Sequence, residues 1–273
     1  MISLGILSWH AHETLRRTLS SYGALLPLVD EKVIYFNEIN DSDRALAAEY
    51  GFEARGTTEN LGILGGTRAL VASLTGDLVI CCQNDNPVFV TPVVLAARLA
   101  DAQKALTEER VRWVRLRNRF AMGFSDRPKH LRYWGDSFGA RLRRIFRPWK
   151  ACYLRGRAVD AVESPEKLFP TVFSRAGSLF ISSSKWVNYS DQPFMTHRHF
   201  ALDLLTWAEA HADKYHLLNG HSVPEIVLNS SGYWCRHNFP VAVSEGIFEH
   251  ARWDDSFRAD NPNFNRKLVT KEG

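Results

Sequence analysis

Short apolar runs alternate with stretches of helical periodicity over the first 90 residues. The apolar runs predict four strands, at residues 2–8, 32–39, 52–57 and 77–82. The stretches between them predict helices at residues 12–26, 41–51 and 65–75. Strands that alternate with helices in this way form a largely parallel sheet with helices on both faces. We therefore predict an α/β fold with a Rossmann-like, mostly parallel sheet.

Beyond residue 90 the alternation is looser. We predict helices at 93–109 and 200–214, strands at 111–120 and 176–182, and a long loop at 121–139. From residue 226 the pattern predicts a tail with a strand-like segment, VAVSEGIFEH, and a polar end. The length of 273 residues suits one domain. Within it we expect three parts, at 1–95, 96–225 and 226–273.

The composition excludes several classes of protein. With 45% hydrophobic residues and 12% aromatic residues, the chain is too apolar for a disordered coil. An apolar stretch of 18 residues is absent from the sequence, so a membrane-spanning helix is not expected. The first residues predict a buried strand rather than a signal peptide. Four cysteines without a CxxC pair indicate reduced thiols and a cytoplasmic location.

The net charge of +4 is unevenly distributed. Residues 110–157 contain 15 Lys and Arg but only two acidic residues, which gives this segment a charge of +13 and leaves −9 elsewhere. Such polarity indicates an anionic partner: phosphates of a substrate, a membrane surface or nucleic acid. Within it, 141–150 is a basic amphipathic stretch suited to an anionic membrane, an anionic polysaccharide, or simply a solvated helix face. Pro148 limits the length of any helix there.

Polar residues follow four of the predicted apolar runs and turns. They are Ser8-Trp9-His10, Asn37-Glu38, Asn60-Leu61-Gly62 and Gln83-Asn84-Asp85-Asn86. Each group alone is typical of an ordinary turn. Because ligands bind beside the carboxyl ends of parallel strands, four groups at one predicted edge favour a ligand site.

Several common sites are excluded by their missing motifs. The first strand lacks the GxGxxG of dinucleotide-binding proteins, and the chain has no GxxxxGK[ST] P-loop, no GxSxG nucleophile elbow and no HExxH zinc motif. Asp85 remains, at the end of an apolar strand. A carboxylate in this position can hold a divalent cation that neutralises a diphosphate.

The first 90 residues resemble the nucleotide-sugar-binding half of family 2 type glycosyltransferases, which have the GT-A fold. The matching features are the polar loop after strand one, Glu38 after strand two, Asn60-Leu61-Gly62 before the glycine pair Gly65-Gly66, and Gln83-Asn84-Asp85 in the place of the DxD motif. The chain departs from the pattern at Gln83, where an acid is usual. Arg68 lies near the position after the glycine pair where the family commonly has Asn.

This resemblance implies a hexosyltransferase-like enzyme, inverting and dependent on Mn²⁺ or Mg²⁺, that acts in polysaccharide biosynthesis. The donor, a nucleotide-diphosphate sugar, would contact Ser8, His10, Glu38, Asn60, Gly62, Arg68 and Asp85. Asp85 would bind the metal, and His250 matches the place of a C-terminal histidine ligand in several such enzymes. An intact Glu-Asp pair for the general base is missing from the sequence near residue 190, so Asp191 is the first candidate and Asp203 the second.

The expected acceptor is a glycan or a lipid-linked glycan. Peripheral association with the inner membrane face, through Arg141–Lys150, is a further expectation, and nucleic acid is not an expected partner. One alternative is a nucleotidyltransferase of similar topology, although the first strand lacks its glycine-rich GxGxR signature. Another is a non-enzymatic module that binds anions or nucleic acid through the 110–157 segment.

Overall fold

The computed structural model of the protein describes residues 1–120, 126–191, 193–215, 217 and 220–251. Within these residues nine strands form a single sheet. They are β1 (Ile2–Ser8), β2 (Glu31–Phe36), β3 (Glu53–Gly56), β4 (Leu78–Gln83), β5 (Trp113–Arg117), β6 (Ser174–Ala176), β7 (Leu179–Ser183), β8 (Phe194–His197) and β9 (Pro240–Phe248). Their order across the sheet is β3-β2-β1-β4-β8-β5-β9-β7-β6.

Most of these strands run in one direction. β1 lies parallel to β2 and β4, and β2 lies parallel to β3. β8 is antiparallel to both β4 and β5, so β5 and its parallel neighbour β9 share the direction of β4. The carboxyl ends of β1, β2, β4, β5 and β9 therefore meet at one edge of the sheet, which we call the carboxyl edge.

Helices cover both faces of the sheet. The α-helices are α1 (His12–Ser20), α2 (Asp41–Glu49), α3 (Gly62–Ser73), α4 (Pro92–Thr107), α5 (Asp126–Trp134), α6 (Phe138–Phe146), α7 (Pro148–Tyr153), α8 (Pro165–Leu168), α9 (Arg198–Ala210), α10 (Pro224–Ser230) and α11 (Tyr233–His237). One core packs α1, α2 and α4 against Leu4 and Ile6 of β1. The other packs α3, α9 and α10 against Leu7 of β1 and Val33 of β2. The predicted α/β class, with helices on both faces, is confirmed.

The close packing of α3 on β1 depends on Gly5. Side chains alternate between the two faces of a strand, which sends Leu4 and Ile6 into one core and Leu7 into the other. A Cβ at position 5 would collide with Leu70 of α3, so glycine lets the helix lie directly on the strand. This packing holds the first turn of α3 at the carboxyl edge.

The predicted loop at 121–139 is wrong where the structure describes it. Residues 126–134 form α5 and α6 begins at Phe138, while 121–125 lie outside the described residues. Tertiary packing stabilises α5: Tyr133 is buried, and the ring of Trp134 meets Phe169 edge-on at 4.8 Å. Such contacts over long sequence distances leave no periodic signal.

Other predicted elements have different boundaries. The helix expected at 12–26 ends at Ser20, and the strand expected at 176–182 divides into the β6–β7 hairpin around Gly177, which has a φ of +59°. The expected tail contains α11 and the end of α10. Its strand-like segment is β9, which lies between β5 and β7 in the sheet. The polar end, 252–273, lies outside the described residues.

Part of the positive charge of the 110–157 segment serves the fold. Arg115, Arg117 and Arg119 are buried. Arg115 forms an ion pair with buried Asp160, and Arg119 donates hydrogen bonds to three backbone carbonyls between residues 159 and 163. These arginines anchor the chain that follows α7. In the part of the chain that the structure describes, no helix is long and apolar enough to cross a membrane.

Candidate active site

The polar groups predicted at the strand ends do meet at the carboxyl edge. The backbone N–H of Asn37 donates to the Ser8 carbonyl (3.0 Å), and that of Asn84 donates to the Leu7 carbonyl (3.1 Å). The segments after β1, β2 and β4 are thus direct neighbours. The prediction that they share one edge is confirmed.

A turn after β4 holds Asp85 in place. Asn86 closes this turn, because its side-chain Oδ1 accepts a hydrogen bond from the Gln83 N–H at 2.7 Å. Thr18 and Tyr22, on and just after α1, donate to the carbonyls of Asn84 and Asn86 at 2.7 and 2.9 Å. The carboxylate of Asp85 is consequently buried and fixed at the carboxyl edge.

His250 lies against Asp85. Its Nε2 is 2.9 Å from Oδ2 of Asp85, and the N–H of Ala251 donates to the Asp85 carbonyl at 2.9 Å. Nδ1 of His250 is buried and has no hydrogen-bond partner among the described residues. An oxygen and a nitrogen donor side by side suit a divalent cation. The described residues contain no group of three His, Cys, Asp or Glu side chains that could hold a metal unaided.

A second pair of side chains, which we call the acidic pair, consists of Asp191 and Glu225. The two carboxyl groups share a hydrogen bond. Burial, the charge of Asp191 and this hydrogen bond raise the pKa of Glu225 to about 8. Burial also raises the pKa of Asp191, while the hydrogen bond from Glu225 acts against that rise. At neutral pH Glu225 therefore keeps its proton and donates a hydrogen bond through it to Asp191, which is the more acidic partner.

The acidic pair adjoins the Asp85–His250 pair. His250 and Asp85 both act electrostatically on the pKa of Asp191, which His250 lowers and Asp85 raises. Arg115 and Arg117 of β5 act to lower the pKa of Glu225. The site thus combines a position for a cation with a carboxyl pair that carries one shared proton.

Asn229 fixes the geometry of the acidic pair. It lies four residues after Glu225, so both side chains are on the same face of α10. Asn229 accepts a hydrogen bond from the Tyr189 N–H at 3.0 Å and donates to the Tyr189 carbonyl at 2.9 Å. The chain just before Asp191 is therefore tied to the helix that carries Glu225. Asp191 lies before β8, not in the loop that opens a helix.

Glu38 joins the ends of β1 and β2. Its carboxylate accepts a hydrogen bond from Trp9 Nε1 and lies 3.1 Å from His10 Nε2. The hydrogen bond from Trp9 is the main cause of its lowered pKa. Glu38 and His10 have φ values of +61° and +43°, which residues other than glycine adopt at a cost in free energy. The structure holds an ionised carboxylate and an indole at this edge.

The Asn60–Gly62 turn opens α3. The Gly62 N–H donates to Oδ1 of Asn60 at 2.8 Å, and the Gly62 carbonyl accepts from Nδ2 of Asn37 at 3.2 Å. Gly62 has a φ of +67°, and a Cβ there would collide with His221. The first turn of α3 therefore needs glycine for its conformation and for the close approach of His221.

Two predicted site residues, Arg68 and Asp203, occupy other surroundings, whereas Ser8 lies at the carboxyl edge. Arg68 forms an ion pair with Glu209 of α9 at 2.8 Å. Asp203 is exposed on α9 and is not among the groups that act on Asp191 or Glu225. Ser8 is buried at the end of β1, and its hydroxyl has no partner among the described residues.

Sequence reasoning missed Glu225 and Asn229. The sequence has no adjacent Glu-Asp pair near residue 190, but in the folded protein Asp191 has an acidic partner, Glu225 on α10. The only local signal was Pro224-Glu225, a proline and an acid typical of a first helical turn. That signal predicts a helix start but not which strand end it faces.

Comparison with solved structures finds proteins whose backbones follow a similar overall path. One is glucosyl-3-phosphoglycerate synthase from Mycobacterium tuberculosis in complex with Mn²⁺, UDP and phosphoglyceric acid, with 15% identity, a TM-score of 0.49, and coverage of 93% of this chain and 72% of that chain. The same synthase with Mg²⁺ and UDP has 15% identity, a TM-score of 0.47 and coverage of 93% and 72%. With Mn²⁺, UDP-glucose and phosphoglyceric acid it has 14% identity, a TM-score of 0.47 and coverage of 93% and 72%.

No protein-family profile matches the chain, and no curated protein matches it. The ligands named above belong to the mycobacterial synthase. In this chain the candidate site is defined by Asp85, His250, Asp191 and Glu225.

Proposed function

We propose that the protein is a GT-A type, inverting glycosyltransferase that moves a sugar from a nucleotide-diphosphate sugar to an acceptor hydroxyl. The observation that carries this proposal is the neighbourhood of two pairs at the carboxyl edge. Asp85 with His250 suits a cation that faces a diphosphate, and Asp191 with Glu225 suits the removal of a proton. A sugar transfer with inversion needs both functions beside the same carbon.

Asp85 and His250 would hold Mn²⁺ or Mg²⁺. The buried carboxylate and the imidazole supply two ligands, which leaves room for phosphate oxygens and water. When bound, the cation supplies positive charge that stabilises the leaving diphosphate. The buried Nδ1 of His250, which has no hydrogen-bond partner among the described residues, leaves that nitrogen available to a cation or a water.

The donor would bind along the ends of β1 and β2 and the first turn of α3. Glu38 would accept hydrogen bonds from the ribose or base, with His10 and the unpartnered Ser8 hydroxyl close by. The N-terminus of α3, at Asn60 and Gly62, would face the phosphates, since helix N-termini favour anions. Arg68 would have to exchange Glu209 for a phosphate, so it ranks last among the donor contacts.

Asp191 would act as the general base. Its carboxylate accepts the proton of the acceptor hydroxyl while the hydroxyl oxygen forms a bond to the anomeric carbon and the bond to the diphosphate breaks. Glu225, protonated below about pH 8, donates a hydrogen bond that keeps Asp191 the more acidic partner. We propose a glycan or a lipid-linked glycan as the acceptor.

A ligand screen by thermal shift tests this function. UDP, GDP, CDP and TDP sugars are compared with and without Mn²⁺, and the product of any transfer is identified by NMR. We expect one nucleotide to raise the melting temperature only with the cation, and Asp85→Ala to abolish that rise. Stabilisation by a nucleotide that is equal without metal, or by none of the four, would contradict the proposal.

A further inference from the structure

The helices α6 and α7 carry apolar side chains that face solvent. Four of them are strongly exposed: Phe138 at 75%, Ile145 at 70%, Phe146 at 76% and Trp149 at 89%. Leu142 is 36% exposed and lies between them in sequence. Large exposed apolar clusters are uncommon on proteins without a partner and mark interaction sites.

Four of these side chains share one face of α6. Phe138, Leu142 and Ile145 recur at intervals of four and three residues, and Phe146 lies next to Ile145, which places them in one stripe along the helix. Trp149 is exposed on α7, which begins just after α6 ends. The opposite side contacts the protein, because Ala140 is fully buried and Arg144 donates to the Tyr133 carbonyl at 2.6 Å. The stripe therefore points away from the body of the protein.

Cations flank the apolar stripe on both sides. Arg141, Arg147 and Lys150 are exposed beside it. Residues 127–150 contain eight Lys and Arg and a single acidic residue, Asp136. The partner that covers this surface must accordingly be negatively charged and must also accept aromatic and aliphatic side chains.

We propose that this surface, the α6–α7 surface (Phe138–Lys150), docks on an anionic lipid membrane. The apolar side chains would enter the boundary between headgroups and acyl chains, and the cations would lie at the headgroup phosphates. Trp149 and the phenylalanines suit this boundary because large rings bury much apolar area at a small entropic cost. The proposal does not depend on the sugar transfer proposed above.

Charge argues against the other occupants. A symmetric dimer through this surface would place the same patch against itself, and eight cations would face eight cations with two acids between them. An anionic polysaccharide or a nucleic acid would pair with the arginines but would leave Ile145 and Phe146 in water. A lipid bilayer satisfies both the charge and the apolar stripe.

The attachment of this surface gives docking a defined direction. The chain leaves the sheet at the carboxyl edge after β5, and the segment after α7 is held there by Arg115 and Arg119. A membrane bound to α6 and α7 would thus be connected to the edge that carries the candidate site. A lipid-linked substrate could reach such a site without leaving the bilayer.

Vesicle flotation with the full chain tests the proposal. Binding is measured to phosphatidylcholine vesicles and to vesicles that also contain phosphatidylglycerol. The variants are Ile145→Asp/Phe146→Asp in the stripe and Arg147→Glu/Lys150→Glu beside it. Matched controls are Val93→Asp, an exposed apolar residue on α4, and Arg44→Glu, an exposed cation on α2. Circular dichroism confirms that every variant is folded.

We expect the wild type and both controls to bind anionic vesicles only. The double charge reversal should weaken binding by about 25-fold, at about fivefold for each cation removed from the headgroups. The aspartate pair should weaken it by about tenfold or more. Brominated lipid should quench part of the tryptophan fluorescence of the wild type, and this quenched part should be absent from Trp149→Phe. The Trp149→Phe variant should still float with anionic vesicles.

Three results would overturn the proposal. They are the absence of flotation with either vesicle, equal flotation with both, and unchanged flotation of the two surface variants. Light scattering after gel filtration gives a fourth result that would overturn the proposal. A wild-type dimer that Ile145→Asp/Phe146→Asp dissociates would show that a second copy covers the surface.

Discussion

Oδ2 of Asp85 lies 2.9 Å from Nε2 of His250, and the backbone N–H of Ala251 donates to the Asp85 carbonyl oxygen. These contacts join the end of β4 to the end of β9. Two strands that are distant in sequence thus place an oxygen and a nitrogen ligand together at the carboxyl edge. The proposed cation site exists only in the folded sheet.

Asp85→Ala should remove the metal-dependent part of nucleotide binding and leave the fold intact. The carboxylate is the charged ligand of the proposed site, and its loss should weaken binding in the presence of Mn²⁺ by about tenfold or more, which is about 1.4 kcal/mol. Isothermal titration calorimetry with and without Mn²⁺ measures this effect. Asp77→Ala is the matched control, since Asp77 is exposed at the other end of β4.

Unchanged affinity for the Mn²⁺–nucleotide complex in folded Asp85→Ala would exclude Asp85 from the metal site. Equal losses in Asp85→Ala and Asp77→Ala would show that any acid near this strand has the same effect through general electrostatics.

Glu38→Ala should weaken donor binding by about 1–3 kcal/mol, because a polar group of the bound ribose or base would lose its partner. Glu38→Gly separates the carboxylate from the backbone. At a φ of +61° glycine relieves strain of about 1 kcal/mol, so this variant should be more stable than Glu38→Ala yet bind the donor equally weakly. Donor titrations and urea unfolding provide the two measurements, with Glu53→Ala as an exposed control on β3. Donor affinity at the wild-type level in both variants would remove Glu38 from the site.

Asp191→Asn should lower turnover by about 10²-fold or more, because the amide keeps the shape of the carboxylate but cannot take up the proton. Affinity for the donor should stay near the wild-type value. Asp203→Asn, on the exposed side of α9, is the comparison variant and should retain its activity. Full activity of Asp191→Asn with loss in Asp203→Asn would reverse the assignment. A product with retained anomeric configuration in the NMR spectrum would contradict the role of a general base.

Glu225→Gln should change how stability depends on pH. The pKa of Glu225 rises from 4.5 to about 8 on folding, so the folded protein binds this proton more tightly than the unfolded chain does. Folding therefore takes up a proton at Glu225 in this range, and the stability that this carboxyl contributes to the wild type should be lost as the pH rises from about 4.5 to about 8. Glutamine does not ionise and avoids this loss.

The free energy of unfolding of Glu225→Gln relative to the wild type should consequently increase with pH through that window and level off above it. Urea unfolding at several pH values measures the difference, and Glu13→Gln, on the exposed face of α1, provides a baseline. A difference that is constant with pH would show that Glu225 does not hold the shared proton.

The sheet and its carboxyl edge were predictable because β1 to β4 follow one another with regular helices between them. A strand such as Leu78–Gln83 is nearly all apolar, and Asp85 lies two residues after its end, so the pattern locates both. Helix α5 was not predictable, since Pro128 and neighbouring glycines favour a loop, whereas tertiary contacts such as the burial of Tyr133 and the contact of Trp134 with Phe169 stabilise the helix. The four-residue strand β8 was too short to produce a periodic signal.

The acidic pair was beyond prediction for a similar reason. Asp191 and Glu225 meet because Asn229 ties residue 189 to α10, and side-chain to backbone hydrogen bonds of this kind have no fixed spacing in sequence. A search for adjacent acids therefore could not find the partner of Asp191. Pairing across distant elements is decided by tertiary packing.

The place of β9 in the sheet has a consequence for biosynthesis. Among the described strands, β5 is joined to the first four only through β8, and on its other side it pairs with β9, whose residues leave the ribosome long after β1 to β4. Because contacts between distant segments form slowly, closing the sheet at β9 is expected to be a late step in folding. His250 lies two residues after the end of β9, so the nascent chain exposes Asp85 without its neighbour until the sheet is complete. Synthesis and assembly of the fold would thus delay the proposed cation site until the rest of the sheet has formed.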